Sequence, residues 1–320
     1  MNCHQCGGTI AIADRFCEEC GVDLMKKPHS PSSDNGCPKC GAPASKIDAD
    51  RYCVECGFRQ AILSNDTLEL QPAPNFAGGS DRGRSHPQNE DAIAIEIVDP
   101  DTYIIVVCDG VSSSQHPELA SQAAVAAGLN GIKLALDRGT EPASAIELGV
   151  AAALAAVSKI PIDPKSSIDP SSTTIVTAIV RNKIATIGWL GDSRAYWLAP
   201  TKSLQLTQDD SWMRDAIESG MYTPAEAEAS PYAHAIVRWL GADTDDGQPN
   251  LTTFAIPSSG YLLLCTDGLW NYAPDPAYLH HLIQQSPAPE SQALVRHLIG
   301  YANQQGGQDN ITVAILVTSD

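Results

Sequence analysis

Apolar and polar positions along the chain fall into two patterns. Short, nearly unbroken apolar runs predict buried strands; longer stretches with apolar residues every three or four positions predict helices. The clearest short run covers Tyr103 to Cys108 and ends abruptly in Asp109-Gly110. The same construction recurs from Tyr261, where an apolar run ends in Asp267-Gly268. Alternation at 92–98 predicts a strand just after Asn89-Glu90-Asp91, and β-branched residues at 172–180 predict another. Segments 183–190 and 195–198 read as a hairpin around Gly191-Asp192-Ser193-Arg194, and 311–317 as a closing strand. Helical spacing covers 117–137 and 141–160, both alanine-rich, and returns at 276–284 and 289–304. Two short helical pieces lie before the second Asp-Gly run. The later one opens with Thr223-Pro224-Ala225-Glu226, a capping box with proline at the first helical position. Residues 76–91 are rich in glycine, serine and proline and read as turns. Strands thus come as a group, two helices, a second group, two helices and a last strand. That order favours an α+β fold of antiparallel sheets flanked by helices over a doubly wound parallel sheet.

Charge sharpens the division of the chain. The formal net charge of −18 is unevenly spread. Residues 1–63 hold 7 Lys+Arg against 8 Asp+Glu, which leaves 13 against 30 in the other 257 residues. So acidic a surface repels phosphate backbones and anionic lipid, so neither nucleic acid nor membrane is expected as a partner. The longest apolar stretch, 143–157, carries Glu147 and reads as a core helix. The opening MNCHQCGG lacks the basic start and apolar core of a signal peptide, which gives the cytoplasm as the expected location.

Eight of the ten cysteines lie in the first 56 residues, in four Cys-x-x-Cys-Gly units: Cys3/Cys6, Cys17/Cys20, Cys37/Cys40 and Cys53/Cys56. Two intervening residues let both thiolates face one ion, and the glycine closes the turn. Arg51-Tyr52 matches Arg15-Phe16, so the unit is duplicated. The expectation is two structural zinc sites with four cysteine ligands each, in modules resembling a double zinc ribbon. Residues 1–25 and 37–63 would form the ribbons, with linkers at 26–36 and 64–75 and the main domain at 76–320. Halves this small need the metal to fold. Their sparse, balanced charge favours a protein contact or regulatory role over nucleic-acid binding.

In the main domain, Glu90, Asp91, Asp109, Asp267 and Asp309 sit at predicted strand ends or in loops, with Asp192 as a sixth candidate. Gathered together, they would repel one another unless a cation lay between them. Such oxygen-rich sites suit Mg²⁺ or Mn²⁺, and two such ions can ready a water to attack a phosphate ester.

Residues 76–320 resemble the metal-dependent Ser/Thr protein phosphatases of type 2C. The motifs come in that family's order: NEDA at 89–92, CDGV at 108–111, SSTT at 171–174, GDSRAY at 191–196, LTQDDS at 206–211, CTDGLW at 265–270 and GGQDNIT at 306–312. The resemblance implies a central β-sandwich with a helix pair on each outer face and a dinuclear site at one edge. It implies that Asp109 bridges the ions. The Gly110 carbonyl and Glu90 would complete one shell, with Asp91 nearby, and Asp267 and Asp309 would hold the other ion. Asn310 would support Asp309, and a flap at about 207–240 would shape substrate access.

Three positions depart from the family pattern. His86 stands where an arginine usually binds phosphate, so Arg84 is expected as the stand-in, ahead of Arg82. Val111 stands where some members carry a histidine acid. Asn271 stands where a third metal would have a carboxylate, although Asp192 is present. The expected activity is hydrolysis of phosphoserine and phosphothreonine in a phosphoprotein substrate. The alternative is a pseudophosphatase that binds phosphoproteins as a scaffold. Cys108, Cys265, His116, His234, His280 and His281 read as packing or surface residues.

Overall fold

The computed structural model describes residues 40, 42–43, 46, 54–56, 66–244, 246–257 and 259–319. The chain divides into two compact units, Met1–Ile62 and Leu63–Asp320. In the larger unit β1 (Thr67–Ala73) and β2 (Phe76–Asp81) pair as a hairpin, as do β3 (Asp91–Asp99) and β4 (Thr102–Asp109). Helices α1 (Pro117–Asp137) and α2 (Pro142–Val157) follow. Next come β5 (Ser172–Thr173), β6 (Ile175–Arg181), β7 (Ile184–Leu190), β8 (Arg194–Leu198) and β9 (Leu204–Gln205). Helices α3 (Trp212–Glu218) and α4 (Pro224–Glu228) then lead to β10 (Leu240–Gly241), β11 (Asn250–Ala255) and β12 (Gly260–Cys265). The chain closes with α5 (Asp267–Trp270), α6 (Pro276–Gln284), α7 (Ser291–Gln305) and β13 (Ile311–Thr318).

One sheet has the order β1-β2-β13-β12-β8-β9 and another β11-β7-β6-β4-β3, while β10 pairs with β5 apart from both. The sheets pack face to face, and helices cover both outer faces. Strand β4 shows why its sequence is apolar without alternation. Ile105 and Val107 point into the sandwich, while Ile104, Val106 and Cys108 pack under α1 and α2. Strand β12 does the same, with Leu262 and Leu264 inside and Leu263 and Cys265 under α6 and α7. A strand buried on both faces loses the period of two. The capping box is present as read: the Thr223 side chain accepts from Glu226 N, and Glu226 reaches back to Thr223 N.

Several expectations are corrected. The stretch 64–75, read as a linker, contains β1. Residues 76–81, read as turns, form β2, which lies between β1 and β13. Its glycines serve packing: a Cβ on Gly78 would lie 2.6 Å from Ile93 Cδ1, and one on Gly79 would lie 2.8 Å from Val295 Cγ1. Strands β7 and β8 are not a hairpin. They belong to different sheets, and Gly191, at φ 101°, turns the chain from one to the other. Asp267 is the first residue of α5, past the end of β12. The zinc-ribbon expectation falls mostly outside the described residues, as do Cys3, Cys6, Cys17, Cys20, Cys37 and Cys53; Cys40 is exposed and Cys56 half-buried.

Candidate active site

Four carboxylates from four connections meet at one end of the sandwich. Asp109 ends β4, Asp192 lies in the β7–β8 crossover, Asp267 opens α5 and Asp309 precedes β13. Together they line a cavity of about 460 Å³. The backbone around them is tightly built. Asp109 N donates to Thr174 Oγ1 at 3.2 Å, and Thr173 Oγ1 donates to Asp109 O at 2.8 Å. Gly110 N donates to Glu90 O at 3.1 Å, and a Cβ on Gly110 would lie 2.5 Å from Pro117 O and 2.7 Å from Glu90 O. Only glycine fits there.

Glu90 and Asp91 stand behind this wall, both buried. Ser112 Oγ donates to Glu90 Oε2 at 2.5 Å, and Glu90 N donates to Asn310 Oδ1 at 2.7 Å. Asn310 Nδ2 in turn donates to Arg82 O and Gln88 O, so the Asp309 loop is fastened to the Glu90 loop. Asp91 sits opposite Asp109 in the β3–β4 register. Its Oδ2 accepts from Thr266 Oγ1 at 2.8 Å, and it faces a separate cavity of about 150 Å³.

The electrostatics are those of charges held together against their preference. Burial raises Asp109 well above the usual carboxylate range, and repulsion from Asp91, Asp267, Asp309 and Asp192 adds to it. Burial raises Asp91 likewise, with Asp267 and Asp309 contributing. Burial, then Asp309, lifts Asp267 to about 7. Burial raises Asp192, with repulsion from Asp267 and Asp209. Asp267 Oδ2 accepts from Asn271 Nδ2 at 3.1 Å, but Asp267 Oδ1 and Asp91 Oδ1 are buried with no hydrogen-bond donor among the described residues. Among the described residues no lysine or arginine lines the cavity. A buried, unpaired carboxylate is costly, so this donor set fits hard divalent cations. Among the described residues no three of His, Cys, Asp and Glu close around one point as a cage would; the carboxylates ring an open cavity. That arrangement suits ions that keep part of their water shell.

The phosphate-binding expectation fares differently. His86 lies beside the carboxylates, with Nε2 3.2 Å from Asp309 Oδ1 and Nδ1 3.9 Å from Glu90 Oε2. Neither His86 nor the exposed Arg84 is among the cavity residues. Arg82 is spent on the loop itself, through His86 O and Asp66. Sequence reading also missed the outer wall. Ser112, Asp169, His234, Ile236, Trp239 and Asp243 all line the cavity. His234, read as a surface residue, is exposed at that mouth; only its place within the predicted flap signalled a role. The flap base is held by Arg194, which makes a two-pronged pair with Asp209 at 2.9 and 2.7 Å. The Arg194 guanidinium carbon lies 3.7 Å from the Trp270 ring centroid and so ties the flap base to the helix of Asp267.

The family model described as Protein phosphatase 2C matches residues 78–301. The chain belongs to this family. It is a phosphoprotein phosphatase. The chain is 31% identical over 247 residues to the serine/threonine phosphatase stp of Listeria innocua, covering 74% of this chain and 93% of that one. The crystal structure of the Mycobacterium tuberculosis serine/threonine phosphatase PstP shares the fold, with TM-score 0.62 and 24% identity over 79% of this chain and 99% of that one. A structure of the PstP catalytic domain in complex with two manganese ions aligns with TM-score 0.57 and 25% identity, over 79% of this chain and 100% of that one. The expected α-β-β-α architecture agrees with these likenesses.

Proposed function

We propose that this phosphatase hydrolyses phosphoserine and phosphothreonine in proteins with the help of two Mn²⁺ or Mg²⁺ ions at the carboxylate cavity. The observation that carries the reading is the set of mutually repelling carboxylates, with the orphaned Asp267 oxygen, around an open cavity that among the described residues has no lysine or arginine. Asp109, Asp267 and Asp309 would be the main ligands, with the Gly110 carbonyl and Glu90 on one side. Asp192 is a candidate for a further ion. When bound, the ions supply a Lewis-acidic centre that lowers the pKa of water and offsets phosphate charge. The chain's own residues do the positioning. Thr266 fixes Asp91, Ser112 fixes Glu90, and Asn271 turns Asp267. His86 stands between Asp309 and Glu90, with Nε2 on the Asp309 carboxylate, and so helps to hold the Asp309 loop against the Glu90 loop. The cavity is open enough for a phosphorylated side chain on an extended peptide. The test is hydrolysis of a phosphothreonine peptide by the full chain with Mn²⁺. Turnover that is lost in Asp267→Ala supports the reading; a protein that binds the peptide without turnover would be the scaffold alternative.

For the amino-terminal repeat the proposal is two structural zinc ions, one on Cys3, Cys6, Cys17 and Cys20 and one on Cys37, Cys40, Cys53 and Cys56. The spacing and duplication of the four Cys-x-x-Cys-Gly units support it. The role is contact with a protein partner or regulation of the phosphatase. Atomic emission on purified protein should give two zinc per chain, and zinc-free protein with full activity would remove the ribbons from the account.

A further inference from the structure

The catalytic cavity has a neighbour. A second cavity of about 260 Å³ is lined by Val237, Arg238, Trp239, Asp243, Thr244 and Asp246. Trp239 and Asp243 also line the catalytic cavity, so this pair forms a wall common to both. The corner is rigidly built. Trp239 Nε1 donates to Asp243 Oδ1 at 3.0 Å, and Thr244 Oγ1 donates to Trp239 O at 2.5 Å. A Cβ on Gly241 would lie 2.7 Å from Asp243 Oδ1, so glycine there lets the carboxylate fold back toward the indole. The adjoining strand β10 pairs with β5, whose Thr173 holds the Asp109 backbone. The corner is thus fixed to the same strand as the catalytic carboxylate.

An indole joined to a carboxylate is a receptor for a cationic side chain: the ring attracts the charge and the acid pairs with it. Asp243 is exposed and Trp239 half-buried, so both can be reached. Arg238, the one basic residue lining this cavity among the described residues, has its guanidinium occupied by Asp246 at 2.9 Å, Gln248 O at 2.5 Å and Asp210 at 3.6 Å. Asp169 adds a further exposed acid to the catalytic wall.

We propose that the Trp239–Asp243 corner is a substrate subsite that binds an arginine or lysine flanking the phosphorylated residue. This rests on the phosphatase reading above and names the substrate class for it: phosphoproteins with basic residues beside the phosphosite. The pair contributes an exposed cation–π contact and an exposed ion pair, which together give a preference of about tenfold.

The test uses the full chain with Mn²⁺ and three phosphothreonine peptides of equal length, with flanking residues arginine, alanine or glutamate. Fluorescein-labelled versions report binding by anisotropy. The arginine peptide should show kcat/KM about tenfold above the alanine peptide, carried by KM, and the glutamate peptide should fall below both. In Asp243→Asn and in Trp239→Leu the arginine-to-alanine ratio should drop to about twofold or less, while Trp239→Phe keeps part of it. Asp137→Asn, which removes a distant exposed acid from the end of α1, should leave the ratio intact and separate a local subsite from the overall negative charge. Equal kcat/KM for the three peptides, or a preference that survives both Asp243→Asn and Trp239→Leu, overturns the subsite. If no peptide turns over, the phosphatase reading fails, and anisotropy decides the subsite alone: tighter binding of the arginine peptide keeps it, and equal binding ends it.

Discussion

Replacing Asp267 by asparagine should stabilise the metal-free protein. Asp267 shares the cavity with Asp109, Asp309 and Asp192; burial, then repulsion from Asp309, lifts it from 3.8 to about 7, although contacts with Asn271, Asp109 and His86 pull the other way. The fold therefore penalises its charged form. The penalty is absent below the unfolded value of 3.8, grows as pH rises, and is complete above about 7. Taken alone, a rise of this size corresponds to about 4 kcal/mol. Asp267 reaches solvent through the cavity and shares its protons with neighbouring acids, so the removable part is about 1–2 kcal/mol. For a unit of this size that is about 3–6 °C in Tm. Asparagine keeps an oxygen to accept from Asn271 and has nearly the same volume, so packing is preserved. The assay is thermal unfolding of wild type and Asp267→Asn after exhaustive chelation, at pH 5, 6.5 and 8. The variant should gain most at pH 8 and least at pH 5. Adding Mn²⁺ should reverse the order, because wild type gains from binding and the variant loses a ligand. A variant less stable than wild type at pH 8 without metal would refute the picture of stored repulsion.

Two further substitutions probe the scaffold. Gly268→Ala should cost about 3 kcal/mol or more in denaturant titration, since its Cβ would lie 1.9 Å from Asn310 O and drive α5 off the Asp309 loop. A variant with an unchanged midpoint would show that this contact yields easily. Asp210→Ala should loosen the flap and cost about 3 kcal/mol. That buried carboxylate accepts from Gly191 N at 3.1 Å and Asn250 Nδ2 at 3.0 Å, and pairs with Arg214 and Arg238. Limited proteolysis should cut between 211 and 239 faster than in wild type, and equal rates would remove Asp210 as the flap's anchor.

Much of the architecture was legible because its signals were local. Strands β4 and β12 announce themselves as apolar runs, since burial on both faces leaves no polar positions to interrupt them. Helix α4 was marked by its capping box, and α1 and α6 by proline at the start. The misses came where tertiary context overrides local preference. Strand β2 reads as turn because Gly78 and Gly79 are there to let Ile93 and Val295 approach. The separation of β7 from β8 rests on long-range pairing with β11 and β12, which no property of 183–198 reveals. Strand β11 is half-exposed and carries adjacent threonines at its centre, too weak a pattern to stand out.

The site shows the same division. The carboxylates were readable as a set because Asp-Gly and Asp-Asn follow or precede strands, and the cavity brings Asp109, Asp192, Asp267 and Asp309 together. The side chains that hold these carboxylates in place were not readable. Nothing in the spacing says that Ser112 holds Glu90, or that Asp91 turns away to Thr266 and a separate cavity. Arg84 was expected near phosphate on nearness in sequence alone. The loop instead turns it outward through Arg84 N and Gly307 O, and brings His86 to Asp309.

The most direct measurement is calorimetric titration of Mn²⁺ into chelator-treated full chain, beside Asp109→Asn, at pH 6.5 in two buffers of different ionisation enthalpy. The account predicts two equivalents of binding in wild type that are missing in the variant. Protons should be released on binding, because the cavity carboxylates hold them in the absence of metal. Identical isotherms for the two proteins, or binding with no proton release, would contradict it.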